Sequence, residues 1–297
     1  MSSHTPAHTL GPHVVGQRVV VRRVLPGETG PSGGPAMTDV LGVCTAWGDG
    51  VCVVEPADGP PVTISLSEIV SGKPVPPRPS TRVRVTPAEA QRRALALWPD
   101  LETEPLGGWL LRRSRTSTAR RANSVLAIGP SGVPGDYDRV VAHYEALGQR
   151  PIAAVLPDSE EDALFRGHGW GLESHDHDTV FQVAGIAAVR RRLPARAEAA
   201  DLQVEGALVT ARIGSAASGV AAVDGDWAGF RTIEVAADRR REGLGLAVMS
   251  ALVGWAAEQG AMTAYLQVLG DNAPALALYE RLGFVEHHRY RYLGAPR

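Results

Sequence analysis

Two textures follow one another along the chain. Over the first 80 residues, short β-branched runs (Val14 to Arg23, Val40 to Trp47, Val51 to Glu55, Pro61 to Ser65) are separated by Gly, Pro and Asp. This pattern predicts a small antiparallel β unit, which we expect to close as a barrel. Gly27 to Ala36 lacks the alternation and reads as a mobile loop, and the prolines of Lys73 to Pro79 favour an extended, semi-rigid tether. From Thr81 onward the periodic segments lengthen. Strands are expected at Trp109 to Arg113, Ser124 to Ile128 and Pro151 to Leu156, with a helix at Asp138 to Leu147. Further strands are expected at Ala207 to Gly214, Gly219 to Val223, Phe230 to Ala236 and Met262 to Leu269, with a helix at Leu244 to Gln259.

This second texture contains a repeat. Glu160 to Phe181 parallels Pro274 to Leu293, with Leu164-Phe165 and Gly169-Trp170 matching Leu278-Tyr279 and Gly283-Phe284 at identical spacing. Each copy follows an apolar strand and a helix ending near a glycine, Gly148 or Gly260. The order of elements fits two related α+β halves joined by the Ala- and Arg-rich stretch Ala184 to Ala200, in which Arg190 to Arg192 read as a solvated face. The expected organisation is 1–80 for the β unit and its tether, 81–199 for a first half and 200–297 for a second.

Composition sharpens the picture at three points. The formal net charge of −2 offers no excess of positive charge for nucleic acid or an anionic membrane. Of the 55 glycines and prolines, 23 lie in the first 80 residues, which supports a separately built N-terminal unit. Met1 to His13 shows no apolar run behind a positive patch, and the uncharged apolar stretch Gly243 to Ala257 is short and amphipathic, so a cytoplasmic protein without membrane contact is expected. Cys44 and Cys52 flank a turn; a hairpin centred on Gly48 and Asp49 pairs position 44 with 53, so both thiols are expected free. His175, His177, His287 and His288 have too few companions for a metal site and read as polar strand-edge histidines.

The sharpest chemistry lies in Ile233 to Leu246. A β run enters a turn rich in Arg and Gly (Arg240, Arg241, Glu242, Gly243, Leu244, Gly245), and an amphipathic helix follows directly. Such a helix start offers bare N–H groups and a positive dipole end to phosphate. A second element runs from Gln267 to Phe284, with Asn272 as N-cap, Pro274 in the first turn and Gly283 closing the helix.

Arg240-x-x-Gly243-x-Gly245, followed by Asn272-x-x-Ala275-x-x-Leu278-Tyr279-x-x-x-Gly283-Phe284, resembles the paired signature of the GNAT superfamily of N-acetyltransferases. With the N-terminal β unit read as an SH3-like barrel, the whole chain resembles an actinobacterial subfamily described as histone-acetyltransferase-like. The resemblance implies a tandem α+β fold of two mixed-sheet halves and acetyl-CoA held between two splayed strands. The pyrophosphate would lie on the amides of Arg241 to Leu246, the pantetheine along Ile233 to Val235, and the thioester carbonyl on the Val235 N–H. Arg240 and Asn272 are implied cofactor contacts, and Tyr279 is implied as the acid for the departing thiolate. Some relatives place a Glu base on the strand before the Asn motif, where this chain has Gln267. Glu234 could replace it through water, or could be a strand-face acid paired with Arg231.

The first half has no Arg-x-x-Gly-x-Gly between Ala127 and Asp138, and Phe165 stands at the Tyr279 position. It reads as a degenerate half that faces substrate, with Arg120, Arg121 and Asn123 as contributors to the acceptor wall. The implied activity is acetyl transfer to an unidentified primary amine without a metal. The alternative is a non-catalytic CoA-binding or protein-interaction module that works through its N-terminal barrel.

Overall fold

The computed structural model describes residues 10–30, 33–56, 59–75, 81–173, 178–194 and 199–296. Contacts divide the chain into two units, Met1–Pro79 and Ser80–Arg297.

In the first unit β1 (Arg18–Thr29), β2 (Pro35–Gly48), β3 (Val51–Pro56), β4 (Val62–Ser65) and β5 (Ile69–Pro74) form one antiparallel sheet in the order β4-β3-β2-β1-β5. Alternate residues such as Val19, Val21, Cys44, Val54 and Ile64 turn inward with Leu10 and Val14. The expected closed barrel does not form among the described residues: β4 and β5 are edges that pair only with β3 and β1, so the sheet is open. Part of the expected loop at Gly27 to Ala36 is strand, because β1 runs to Thr29 and pairs it with Pro35. The hairpin turns on Asp49 and Gly50, both at positive φ, one residue later than expected, which sets Trp47 opposite Cys52 and Cys44 opposite Val54. Both thiols are free and buried. Most of the expected tether lies outside the described residues.

The second unit opens with α1 (Pro87–Arg93), capped where the Thr86 side chain accepts from the Glu89 N–H at 3.2 Å, and a 3₁₀ turn over Ala94–Leu97. There follow β6 (Leu101–Leu106), β7 (Trp109–Ser114), β8 (Val125–Leu126), α2 (Asp136–Ala146), β9 (Ile152–Val155), α3 (Glu160–Gly167), β10 (Gly171–Leu172) and β11 (Thr179–Gly185). Then come α4 (Ile186–Arg192), β12 (Asp201–Glu205), β13 (Leu208–Ile213), β14 (Ala217–Asp224), β15 (Trp227–Val235), α5 (Leu244–Glu258), β16 (Thr263–Leu269), α6 (Ala273–Arg281) and β17 (Val285–Gly294). The sheet runs β12-β13-β14-β15-β16-β11-β17-β9-β8-β7-β6, with β10 pairing β17 off the path.

The repeat is visible in its caps. Trp170 N–H donates to the Phe165 carbonyl at 3.1 Å, and Phe284 N–H donates to the Tyr279 carbonyl at 3.0 Å, with Gly169 and Gly283 both at positive φ. The halves differ in how they end. Strand β11 of the first half enters between β16 and β17, and β17 of the second half crosses to pair β9. The two halves thereby share one continuous sheet.

One face of this sheet packs on α5 through Val248, Leu252 and Phe230, with α4 against α5 through Ile186 and Val189. The arginines of α4 are exposed. The other face is covered by α1 and its 3₁₀ turn, where Ala90, Ala94 and Leu97 pack on Phe181, Val183, Trp227 and Tyr265. Sequence order assigns 81–98 to the first half, yet this segment lies over the second. Arg231 Nε donates to the Leu97 carbonyl at 3.0 Å, and the Tyr265 hydroxyl donates to the Arg93 carbonyl at 3.1 Å. Among the described residues no helix is long and apolar enough to cross a membrane.

Candidate active site

The site is built on a parting of parallel strands. β15 and β16 pair from Trp227 with Thr263 to Phe230 with Leu266 and no further. Beyond that point β15 stays with β14, and β16 stays with β11. A bulge marks the divergence: the β14–β15 register shifts between Ser218 and Val220, and Thr232 sits at φ 53°. Gly219 makes the bulge possible, since a Cβ there would stand 2.5 Å from Ile233 Cδ1 and 2.7 Å from Val248 Cγ1.

The bulge sorts the side chains. Ile233 and Val235 pack toward the α5 core, so Glu234 between them points to the face covered by α1. Ala236 N–H donates to the Ala216 carbonyl at 2.8 Å across β14. Because N–H groups alternate along a strand, the Val235 N–H is directed to the opposite edge, into the gap.

The chain then turns into α5. Arg241 at φ 68° and Gly243 at φ 83° bend the backbone, and Gly243 is an N-cap without a side-chain acceptor. The N–H groups of Arg240 to Gly245 donate to no acceptor among the described residues, whereas Leu246 N–H, expected to be bare, is bonded to the Gly243 carbonyl at 3.0 Å. The bare run therefore begins and ends one residue earlier than the resemblance implied. Arg239 and Glu242 hold each other at 2.8 Å, while Arg240 and Arg241 are exposed and make no ion pair among the described residues. Bare amides at a helix start beside two uncompensated guanidinium groups suit a phosphate-bearing ligand.

On α6, Asn272 Oδ1 accepts from the Ala275 N–H at 3.2 Å, which is the expected cap. Tyr279 packs its ring edge-on to Phe284, with centroids 5.7 Å apart, and burial raises its hydroxyl pKa above the ordinary value. Glu234 is exposed and is not paired with Arg231, whose guanidinium lies 4.6 Å over the Trp98 ring. The ion-pair reading of Glu234 is thus removed.

Gln267, the first β16 residue beyond the pairing with β15, accepts a hydrogen bond from the Tyr290 hydroxyl. Tyr290 in turn accepts from Arg121 Nε at 3.0 Å, so the first half does reach this face. Asn123 does not: its side chain is used within its own loop, bonding Ser114 N–H and the Ser117 carbonyl. The expected strand-edge position of His288 is also corrected. It is buried on the interior strand β17, stacked 4.8 Å from Phe181 and bonded to Gln91 at 3.0 Å, because the inserted β11 covers what would be an edge. Burial, reinforced by His287, pushes its pKa down to about 3. His175 and His177 lie outside the described residues. Among the described residues no group of three or more His, Cys, Asp or Glu side chains could hold a metal.

Tyr290, Gln91 and the roof formed by α1 lie outside the motifs that mark the site in the sequence. The signals were present: His288, Tyr290 and Tyr292 alternate on one strand face, and Thr86-Pro87-Ala88-Glu89 has the spacing of a helix start.

Comparison with known proteins bears on the same region. Residues 182–293 match the family described as "Probable histone acetyltransferase Rv0428c C-terminal". The "Probable histone acetyltransferase Rv0428c" of Mycobacterium tuberculosis is 28% identical over 305 residues, covering 95% of each chain. A [ribosomal protein bS18]-alanine N-acetyltransferase of Escherichia coli is 43% identical over 61 residues, which cover 20% of this chain and 41% of that one. A solved GCN5-related N-acetyltransferase from Kribbella flavida shares the fold, with a TM-score of 0.55 at 16% identity over 71% of this chain and 95% of that one. By sequence and fold together, the chain is similar to GNAT-type N-acetyltransferases of the histone-acetyltransferase-like kind.

Proposed function

We propose that the chain is an acetyl-CoA-dependent N-acetyltransferase that moves the acetyl group to a primary amine by direct attack. The observation that carries this reading is the parting of β15 and β16 beside an α5 start whose amides and two arginines have no partner among the described residues. Bound there, acetyl-CoA supplies an activated thioester. Arg240, Arg241, Glu242, Gly243, Leu244 and Gly245 would hold its phosphates chiefly through backbone N–H groups, and Ile233, Glu234 and Val235 would align the arm in the gap. Asn272 would be a further cofactor contact, as the resemblance implies.

The reaction forms an N–C bond and breaks a C–S bond. Val235 N–H is aimed where the thioester oxygen gains charge, a placement usually worth ~3–4 kcal/mol of transition-state stabilisation. The amine proton passes to Glu234 through water, and Tyr279 returns a proton to the thiolate. A tyrosine whose burial keeps it protonated suits that task. The second half carries this chemistry, and the first half, with Phe165 in place of the tyrosine, supplies wall and strand.

Acetyl-CoA should raise the melting temperature and support free-thiol release with at least one amine in a panel. Tyr279→Phe should keep the thermal shift and lose turnover. No shift with acetyl-CoA overturns the cofactor assignment, and a shift without turnover on any amine removes the catalytic reading.

A further inference from the structure

The face on which Glu234 and Gln267 lie holds a charge without a counter-ion. Arg121 comes from the first half and is partly buried there. Its Nε donates to Tyr290 at 3.0 Å, and no carboxylate stands within ion-pair distance of it among the described residues. A guanidinium has five N–H donors, so four remain unassigned. Asp178 is committed to Arg291 at 2.9 Å, and Asp100 to the Thr116 hydroxyl at 2.8 Å. Arg231 places a second guanidinium on this face, also in no ion pair among the described residues. Partly desolvated arginine in this state favours an anion, and a carboxylate matches its planar fork.

Position ties that anion to the acceptor. Arg121 is fixed through Tyr290 to Gln267, the residue at which β16 leaves β15. An anion on the free guanidinium edge would therefore sit one bridging tyrosine hydroxyl away from Gln267, on the face to which Glu234 also points. The α5 start, where phosphate is expected, lies at the far end of the other arm and has its own arginines.

Resting on the acetyltransferase reading above, we propose that Arg121 clamps a carboxylate of the acceptor, and that the acceptor is a small amine bearing a carboxylate, of the amino-acid class. Lysine side chains within a protein and simple polyamines lack that group at the amine's own scale. The face that would meet them carries arginine rather than paired acids.

Matched amines test this with acetyl-CoA as donor and thiol release as readout: L-lysine against 1,5-diaminopentane, L-phenylalanine against 2-phenylethylamine, and a lysine peptide blocked at both ends. The carboxylate-bearing member of at least one pair should be favoured in kcat/KM by roughly tenfold or more. Arg121→Gln should abolish that preference and Arg121→Lys should restore part of it, both with the acetyl-CoA thermal shift retained. Equal rates within both pairs, preference for the blocked peptide, turnover of neither amino acid, or a preference that survives Arg121→Gln each overturn the inference. If Arg121→Gln does not fold, as a lost acetyl-CoA shift would report, the wild-type pairs decide. Failure of the acetyltransferase reading looks different: no acetyl-CoA shift and no thiol release with any amine.

Discussion

Tyr290 donates its hydroxyl hydrogen to Gln267 Oε1, and the same hydroxyl oxygen accepts from Arg121 Nε at 3.0 Å. The Gln267 amide, at the position where the resemblance implies a base in some family members, is therefore a fixed acceptor within a chain of hydrogen bonds that joins the two halves. A carboxylate placed there would receive the same hydrogen bond, which lowers a carboxyl pKa and weakens it as a base. Glu234→Gln is expected to lower kcat by roughly 10²-fold or more. Gln267→Glu should not rescue it, and steady-state kinetics on the single and double variants check both statements.

Tyr279→Phe keeps the ring packed against Phe284 and removes only the proton donor. A fall in kcat of about 10²–10⁴-fold is expected, with acetyl-CoA binding little changed. Because burial raises the hydroxyl pKa, the wild-type rate should not fall from this group until pH passes the ordinary tyrosine range near 10. A pH–rate profile tests the sign.

Gly229 leaves the space that the Tyr265 ring fills, and a Cβ there would collide with that ring. The Tyr265 hydroxyl is the link to the Arg93 carbonyl that helps hold α1 over the sheet. Gly229→Ala should cost roughly 2–4 kcal/mol, from overpacking together with a buried hydroxyl left unpaired. Denaturant midpoints measure this, and Gly254→Ala, on α5 with open space around it, is the control that should cost little.

His288 is neutral when folded, with a pKa of about 3 against an ordinary 6.5. Between those values the unfolded chain binds a proton that the native chain does not, so stability should fall as pH drops below about 6.5 and be fully present above it. His287, whose pKa is also lowered by burial, contributes in the same direction. His288→Gln should flatten the decline in melting temperature between pH 6.5 and 4 relative to wild type.

Elements whose period and caps are local could be read from the chain. Leu244 to Gln259 was expected as a helix and Leu244–Glu258 is one; the glycine closures after Phe165 and Tyr279 are the same bond in both halves. What escaped is non-local. Nothing in the residues of β11 says that it enters between β16 and β17, because both possible neighbours are apolar strands of the same period. That exchange buries His288, brings Tyr290 to Gln267 and corrects the strand-edge reading. The open N-terminal sheet has the same origin, since strand patterns reveal pairing partners poorly and edges hardly at all. At the site, the motifs placed the α5 turn within one residue, whereas the role of Arg121 required knowing which half's strand lies beside which.

Under the proposed function, the α5 start and the gap between β15 and β16 hold acetyl-CoA. Calorimetric titration of acetyl-CoA into the wild-type chain and into Arg240→Ala/Arg241→Ala measures it most directly. Both side chains are exposed and outside any ion pair among the described residues, so their removal should leave the fold intact. One site per chain is expected in the wild type, with a Kd weakened by roughly tenfold or more in the double variant and steeply dependent on salt. An absence of binding in the wild type, or equal affinity in the two proteins, would contradict this.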